Sequence, residues 1–212
     1  MPVDLPPTSA AALAPVCFFS LPAAVNGAVY VTEQPVGNFA SYLDAFDSSS
    51  GAQRWQFQEP QGVELSQPAL GNNSVYAIDT WGVYAVDTSS GAQRWSVQLQ
   101  ALANMDPIIM SGLLYFITVN GANGQQMVTA LDTGSGATRW SWNPSATALA
   151  ASDVSVFSPL SGSPPLGYTV GNGVVSIWFV DKLTALRASD GVQQWQVATY
   201  QYDGQPGAMV IG

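Results

Sequence analysis

The chain of 212 residues is long enough for one large domain, and 47% of its residues are apolar, so it can bury a core. It contains no histidine and a single cysteine, Cys17, which excludes serine–histidine triads, cysteine–histidine dyads, internal disulfides and thiolate metal clusters. The formal net charge is −9 and the five basic residues are scattered singly, so no surface for nucleic acid or anionic lipid is expected.

The first part of the chain, residues 1–15, is interpreted as an N-terminal extension to a single repeat domain over 16–212. The extension has no basic residue and carries Asp4, so a signal peptide is not expected. No apolar run approaches the roughly 20 residues that a spanning helix needs. We therefore predict no membrane span.

After the extension, β-rich runs recur along the chain, each preceded by a turn signal. Their β-branched, apolar and aromatic residues predict strands over 28–31, 74–78, 113–117 and 174–179. The preceding turns contain Asn-Gly or related pairs, which supply the positive φ of tight hairpins, at 26–27, 71–73, 111–112 and 171–173. A segment with proline precedes each turn and fits the start of a strand.

Each of these strands is followed by a copy of one motif, Ala-x-Asp-x-x-x-Gly-x-x-x-Trp. Three copies match well, over 45–55, 85–95 and 130–140. The fourth copy, 185–195, has Arg187 where the others have aspartate. The motif glycines recur at intervals of 40 to 55 residues, a period that indicates propeller blades or helical repeats. The β-rich content of each unit favours blades.

The residue types of the motif suit the docking of one blade on the next. Tryptophan can fill the gap between blades, glycine permits positive φ and close approach, alanine leaves room for a ring, and aspartate can accept turn amides. The arginine before the tryptophan in the first three copies points to the opposite side of its strand and is expected in solvent. The predicted docking residues are Ala45, Asp47, Gly51, Trp55, Ala85, Asp87, Gly91, Trp95, Ala130, Asp132, Gly136, Trp140, Ala185, Gly191 and Trp195.

The predicted fold class is an all-β propeller of four-stranded antiparallel blades, four blades plus one extra strand. The blades are placed at about 16–60, 61–100, 101–145 and 146–200. Residues 201–212 start a fifth blade or form a closing strand, because Gln205-Pro206 repeats the proline entry of Gln67-Pro68. A partial ring, completed by a second copy or another chain, or a fragment of a larger propeller is favoured over a small closed four-blade ring.

The motif is similar to the tryptophan-docking motif of the pyrroloquinoline-quinone (PQQ) repeat family of β-propellers. The resemblance implies that each tryptophan stacks on the adjacent blade and that its indole hydrogen-bonds across the gap. It also implies larger rings, commonly of eight blades, and an extracytoplasmic location, secreted or periplasmic. The substitution at Arg187 puts the turn hydrogen bond of the fourth copy in doubt, while Trp195 is kept.

The resemblance implies two classes of function. Quinone-dependent alcohol and sugar dehydrogenases use a catalytic aspartate, a calcium ion held by Glu, Asn and Asp, and often adjacent cysteines. This chain has no Cys-Cys pair and no Glu-Asn-Asp set on matching segments, so no catalytic or metal-ligating residue is assigned and cofactor-binding residues stay unknown. We expect a non-catalytic protein-interaction scaffold without a cofactor. The alternative is a fragment of a PQQ-dependent dehydrogenase that uses PQQ and calcium.

Three tryptophans outside the motif are further candidates for stacking on a ligand. Trp81 follows Asp79-Thr80 at a hairpin and is expected to be a half-exposed turn aromatic. Trp142 and Trp178 lie on predicted strands, and we expect both to pack in the core.

Overall fold

The computed structural model describes residues 16–18, 20–35, 40–99, 102–103, 106–119, 126–143, 167–179, 182–198 and 209–210. Within these ranges the chain consists of antiparallel strands joined by turns. None of the described residues belongs to a helix long and apolar enough to cross a membrane. The predicted extension, 1–15, and the Gln205-Pro206 pair lie outside the described residues.

The first two sheets follow the chain strand by strand. In the first sheet, β1 (Val16–Phe18) and β2 (Ala23–Val25) both pair with β3 (Ala28–Pro35), which is followed by β4 (Tyr42–Asp47) and β5 (Gln53–Gln58). The second sheet contains β6 (Ala69–Gly71), β7 (Ser74–Ile78), β8 (Gly82–Asp87) and β9 (Gln93–Gln98). Because β1 and β2 share one edge of β3, each sheet has four strand positions, A to D.

The other two sheets repeat this order. In the third, β10 (Leu102–Ala103) and β11 (Ile108–Met110) pair with β12 (Leu113–Val119), followed by β13 (Gln126–Asp132) and β14 (Thr138–Trp142). The fourth runs through β15 (Gly167–Gly171), β16 (Val174–Trp178), β17 (Lys182–Arg187), β18 (Gln193–Ala198) and β19 (Met209–Val210). Strand β19 pairs with the outer strand β18 and so extends the fourth sheet.

The four turns that join the A and B strands have the predicted backbone geometry. Both central residues of each turn have positive φ, which gives the twist that a tight hairpin requires. The turn residues are Asn26-Gly27, Asn72-Asn73, Ser111-Gly112 and Asn172-Gly173. Asparagine tolerates this conformation better than most residues, so the sequence signal was a physical one.

The sheets stack on one another in chain order, and the core lies in the gaps between them. Side chains alternate along each strand, so every inner sheet buries one face against the preceding sheet and one against the next. In the first gap, Tyr30 and Leu43 meet Val75, Tyr84 and Val86. Equivalent clusters fill the second and third gaps. Each sheet is thus a blade, and none of the described sheets closes on itself. The predicted open propeller of four-stranded blades is confirmed.

Candidate functional site

The motif aspartate organises the turn between the C and D strands. Oδ1 of Asp87 accepts the backbone amides of Ser89 and Ser90, both at 2.9 Å, and Asp47 and Asp132 make the same pair of contacts. The hydroxyl of Ser89 and the guanidinium of Arg94 hold the pKa of Asp87 well below its usual range. At Asp132, hydrogen bonds from Arg139 and Ser135 lower the pKa to about 2.

In the first three copies of the motif, the arginine that precedes the tryptophan pairs with the aspartate of its own blade. The ion pairs are Arg54–Asp47, Arg94–Asp87 and Arg139–Asp132, and all three lie in solvent. Exposed pairs of this kind contribute little to the free energy of folding. Their role is local, since each pair fixes the turn between the C and D strands of its own blade.

The motif tryptophan of one blade docks on the turn of the next blade, in an arrangement that we call the docking joint. Its indole Nε1 donates to a backbone carbonyl one residue after the next blade's aspartate position. The bonds are Trp55 to Thr88 at 3.0 Å, Trp95 to Thr133 at 3.1 Å and Trp140 to Ala188 at 2.9 Å. The fourth motif contributes an acceptor to the last joint although Arg187 replaces aspartate.

The motif glycine forms the seat on which the ring lies. Each of these glycines has φ between 70° and 73°, a region that L side chains rarely adopt. A Cβ added at Gly91 would come within 2.8 Å of the Trp55 ring, and one at Gly136 within 2.8 Å of Trp95. At Gly191 the distance to Trp140 would be 2.5 Å. Any side chain at these positions would displace the ring.

A tyrosine that sequence reasoning missed completes each joint. The hydroxyl of Tyr76 donates to the same carbonyl as Trp95, that of Thr133, at 2.8 Å. Tyr30 and Tyr115 share the acceptors of Trp55 and Trp140 in the same way. These tyrosines stand three residues after the last residue of each A–B turn, which is a spacing visible in the sequence. Ser176 takes this place in the fourth blade.

The small size of the motif alanine explains how two rings reach one carbonyl. Ala85 is the register partner of Tyr76 on one side and of Trp95 on the other. Because no bulky side chain separates them, the two rings lean together over the alanine, with centroids 5.7 Å apart. The equivalent pairs, Tyr30–Trp55 and Tyr115–Trp140, have centroids 5.7 Å and 5.9 Å apart.

The fourth copy keeps its turn by a different set of contacts. Arg187 Nη1 donates to Asp190 Oδ2 at 2.7 Å, and Asp190 Oδ1 accepts the backbone amide of Val192 at 3.1 Å. Beside this turn, a cleft of about 540 Å³ opens between the third and fourth blades, with Arg139 and Arg187 in its lining. Both guanidinium groups are paired to carboxylates, so the cleft presents no free charge from them.

The two outermost blades each present half of a docking joint. Trp195 is 37% exposed, whereas Trp140 in the third joint is 8% exposed. Gly51 has the positive φ of the other motif glycines, but no described residue lies within 4 Å of a Cβ added there. The first blade therefore has an empty seat, and the fourth has a ring that docks on no described residue of this chain.

The tryptophans outside the motif divide into three cases. Trp81 is a half-exposed turn aromatic and Trp142 packs in the core, so those two predictions are confirmed. The core prediction for Trp178 is wrong, because its side chain is 41% exposed. Trp178 occupies the strand position of Ile78, which is 2% exposed because the third blade covers it. No described blade follows the fourth.

A pair of buried acids lies in the first gap. Glu59 and Asp79 are 1% and 2% exposed, and the hydroxyl of Tyr84 lies 3.3 Å from Glu59 Oε1 and 2.9 Å from Asp79 Oδ2. Both carboxylates also accept backbone amides: Glu59 accepts that of Gln61 at Oε1 and that of Val63 at Oε2, and Asp79 accepts those of Trp81 and Gly82 at Oδ1. Burial raises the pKa of Asp79 and of Tyr84. The carboxylates are thus occupied in holding two loops.

The described residues do not fit a calcium–quinone site. Calcium requires six to eight converging oxygen ligands. Among the residues that the structure describes, no three acidic, histidine or cysteine side chains converge in a way that could hold a metal ion. Trp142, the tryptophan most deeply buried outside the motif, belongs to the core cluster of the third gap together with Ile117 and Ile177.

Comparison with known proteins places these features in a family. A family model described as outer membrane protein assembly factor BamB, of the PQQ-like repeats, matches residues 40–206. The chain belongs to this family. The PQQ-like repeat was the family that the motif residues indicated, so that recognition is confirmed. A search of curated proteins gives no match.

Solved structures similar to this PQQ-like repeat chain share its fold. BamB from Moraxella catarrhalis is 16% identical with a TM-score of 0.53, over 80% of this chain and 49% of that one. Quinohemoprotein alcohol dehydrogenase from Comamonas testosteroni is 16% identical with a TM-score of 0.64, over 91% and 36%. The computationally designed Ika4 protein is 10% identical with a TM-score of 0.53, over 78% and 88%. The chain spans about half of BamB and about a third of the dehydrogenase.

Proposed function

We propose that this PQQ-like repeat chain is a non-catalytic scaffold for protein interactions. The observation that carries the proposal is that its aromatic residues form two groups, one packed between blades and one exposed on an outer face. Three motif tryptophans and their tyrosines pack in the joints between blades and donate hydrogen bonds across them. Trp178 and Trp195 instead lie on the outer face of the fourth blade, 41% and 37% exposed. Exposed tryptophans on a rigid sheet are typical of protein-binding surfaces.

The family to which the chain belongs favours another protein as the binding partner of the scaffold. Its description is that of an assembly factor for outer membrane proteins, and a BamB structure is among the folds that the chain resembles. By this kinship the proposed location is extracytoplasmic, secreted or periplasmic. The partner on this proposal is another protein or a second copy of the chain. The scaffold needs no cofactor.

The second candidate is a piece of a quinone-dependent alcohol or sugar dehydrogenase, with PQQ and calcium as cofactors. The specific observation in its favour is the likeness to a quinohemoprotein alcohol dehydrogenase over 91% of this chain. Against it stands the donor set of the described residues, which brings no three acidic side chains together for a metal ion. At 16% identity, the similarity to the dehydrogenase shows a common fold alone.

Two measurements on the purified chain separate these candidates. Titration with PQQ and calcium is followed by absorbance and by dye-linked oxidation of alcohols and sugars. The scaffold proposal predicts neither stoichiometric binding nor turnover. Stoichiometric quinone binding with turnover would replace it with the dehydrogenase.

The interaction itself can be mapped by site-specific photocrosslinking in cells that express the chain. A photoreactive residue at position 178 or 195 is expected to capture the same protein, identified by mass spectrometry. Position 21 is the matched control, since Leu21 is 70% exposed and belongs to neither joint nor outer face. If positions 178 and 195 captured no protein, or captured only what position 21 captures, the assignment of the surface would be wrong.

A further inference from the structure

The two ends of the described blades are complementary halves of one joint. Internal joints need a tryptophan, a glycine at positive φ and a carbonyl that follows the aspartate position. The fourth blade ends with Trp195 exposed. In the first blade, Gly51 has φ +70° with no described residue over it, and Ser48, the residue after Asp47, is exposed.

The sheet faces around these residues also match the two sides of an internal gap. In the first gap, the second blade offers Val75 and Val86, both 0% exposed. The first blade has Val29 and Phe46 at the same register positions, and both are only half-buried. Apolar residues that an inner blade buries fully are thus present on the outer face of the first blade, without a described blade to cover them.

The outer face of the fourth blade is the matching surface. Its positions correspond to those of the second blade that pack against the third. Trp178 occupies the register position that Ile78 has in the second blade, and Leu183 occupies that of Val83, which is 0% exposed. In the fourth blade Trp178 is exposed and Leu183 is half-buried. Both faces therefore keep apolar side chains that suit a blade-to-blade contact, and the face of the first blade also carries Asp44, which stands at the register position of Tyr84 and is 1% exposed.

We propose that two copies of this chain associate head to tail through these faces. Trp195 of one copy lies over Gly51 of the other, and its indole Nε1 donates to the Ser48 carbonyl there. A joint between unlike faces generates a closed ring or an open filament, and two copies close when two equal joints complete the circle. This inference rests on the proposed scaffold function and names one of its partners.

The joint between copies differs from the internal joints at one residue. Ser176 pairs with Ala185, the register position at which Tyr76 pairs with Ala85. The Ser48 carbonyl consequently receives one donor instead of two, and no tyrosine ring supports Trp195. Association is therefore expected to be weaker than the internal docking and to depend on concentration. Ser176→Tyr restores the missing ring and is expected to tighten the dimer about tenfold or more.

The test is sedimentation equilibrium of the full chain between about 1 and 100 µM, with Ser176→Tyr in parallel. The wild type is expected to shift from 22.3 kDa to twice that mass as concentration rises. Trp195→Ala should abolish the shift, whereas Trp81→Ala, which removes an exposed tryptophan from a turn, should not. Gly51→Ala should also abolish it, whereas Gly173→Ala should not, although both glycines have positive φ and open space around them.

Mixing the two association-deficient variants tests the head-to-tail geometry. A Trp195→Ala copy keeps its seat and a Gly51→Ala copy keeps its ring, so one intact joint forms only in the mixture. Recovery of association on mixing supports the proposal. A wild type and Ser176→Tyr variant that stay monomeric, or a dimer that Trp195→Ala leaves unchanged, would overturn it, as would open-ended growth beyond two copies.

These results are separable from a failure of the scaffold function. A monomer whose positions 178 and 195 still crosslink to another protein would contradict the head-to-tail dimer and would still support the scaffold function. A dimer that binds PQQ and turns over alcohols keeps the joint and sinks the non-catalytic function.

Discussion

Replacing Trp95 by alanine tests the docking joint where its parts are best defined. The ring lies over Gly136, and its Nε1 donates to the Thr133 carbonyl at 3.1 Å. Truncation of a buried tryptophan costs about 3–5 kcal/mol, mostly through the cavity that it leaves. Because Tyr76 also donates to Thr133, the carbonyl keeps a partner. Since Trp95 is half-buried, we expect a loss near the lower end, about 3 kcal/mol.

The position of each motif tryptophan along the stack sets the expected order of costs. Trp140 is 8% exposed, so Trp140→Ala should cost most, about 5 kcal/mol. Trp195 is 37% exposed and docks on no described residue, so Trp195→Ala should cost under about 1 kcal/mol in the monomer. Arg94→Ala, next to Trp95 on the solvent side, should change stability by no more than about 0.5 kcal/mol.

The assay is urea denaturation of each variant, followed by far-ultraviolet circular dichroism at low protein concentration. Circular dichroism is preferred because the substitutions remove the fluorophore itself. Equal losses for Trp95→Ala and Arg94→Ala would show that the faces of β9 are assigned wrongly. Equal losses for Trp140→Ala and Trp195→Ala would show that burial between blades does not determine the contribution of the ring.

Three further outcomes are expected from urea melts. The double variant Tyr76→Phe/Trp95→Phe should lose at least about 1 kcal/mol more stability than the sum of the two single losses, because the buried Thr133 carbonyl then has neither donor. Additive losses would contradict the claim that both side chains donate to this carbonyl. Gly136→Ala should destabilise more than Gly51→Ala, because both strain φ but only the first displaces a ring; equal losses would contradict the seat. Burial raises the pKa of Asp44, so wild-type stability relative to Asp44→Asn should fall as pH rises above the ordinary carboxyl pKa of 3.8, and an unchanged difference would count against this.

The repeat and its turns could be predicted because the backbone itself demands those residues. Asn26-Gly27 and Asn172-Gly173 occupy positive φ, which most residues avoid. Asp47 accepts turn amides as aspartate does in many turns. Such requirements are local, so each copy of the motif carries them independently of its neighbours.

What depends on the neighbouring blade could not be predicted in the same way. The exposure of Trp178 follows from the absence of a described blade beyond the fourth, and its strand pattern is that of a core residue. The part played by Tyr76 follows from the acceptor on the next blade, although its recurrence after the A–B turn was a signal. In the fourth turn, Asp190 takes the position that serine has in the other copies and accepts the Val192 amide as those hydroxyls accept the alanine amides, while its other oxygen pairs with Arg187.

Hydrogen exchange of the indole N–H groups, followed by NMR on chain with ¹⁵N-labelled tryptophan, tests the docking joint most directly. The structure predicts slow exchange for Trp55, Trp95 and Trp140, whose N–H groups donate across the gaps, and fast exchange for Trp81, which is 45% exposed. Exchange of Trp55, Trp95 and Trp140 at the rate of Trp81 would contradict the claim that tryptophans join the blades.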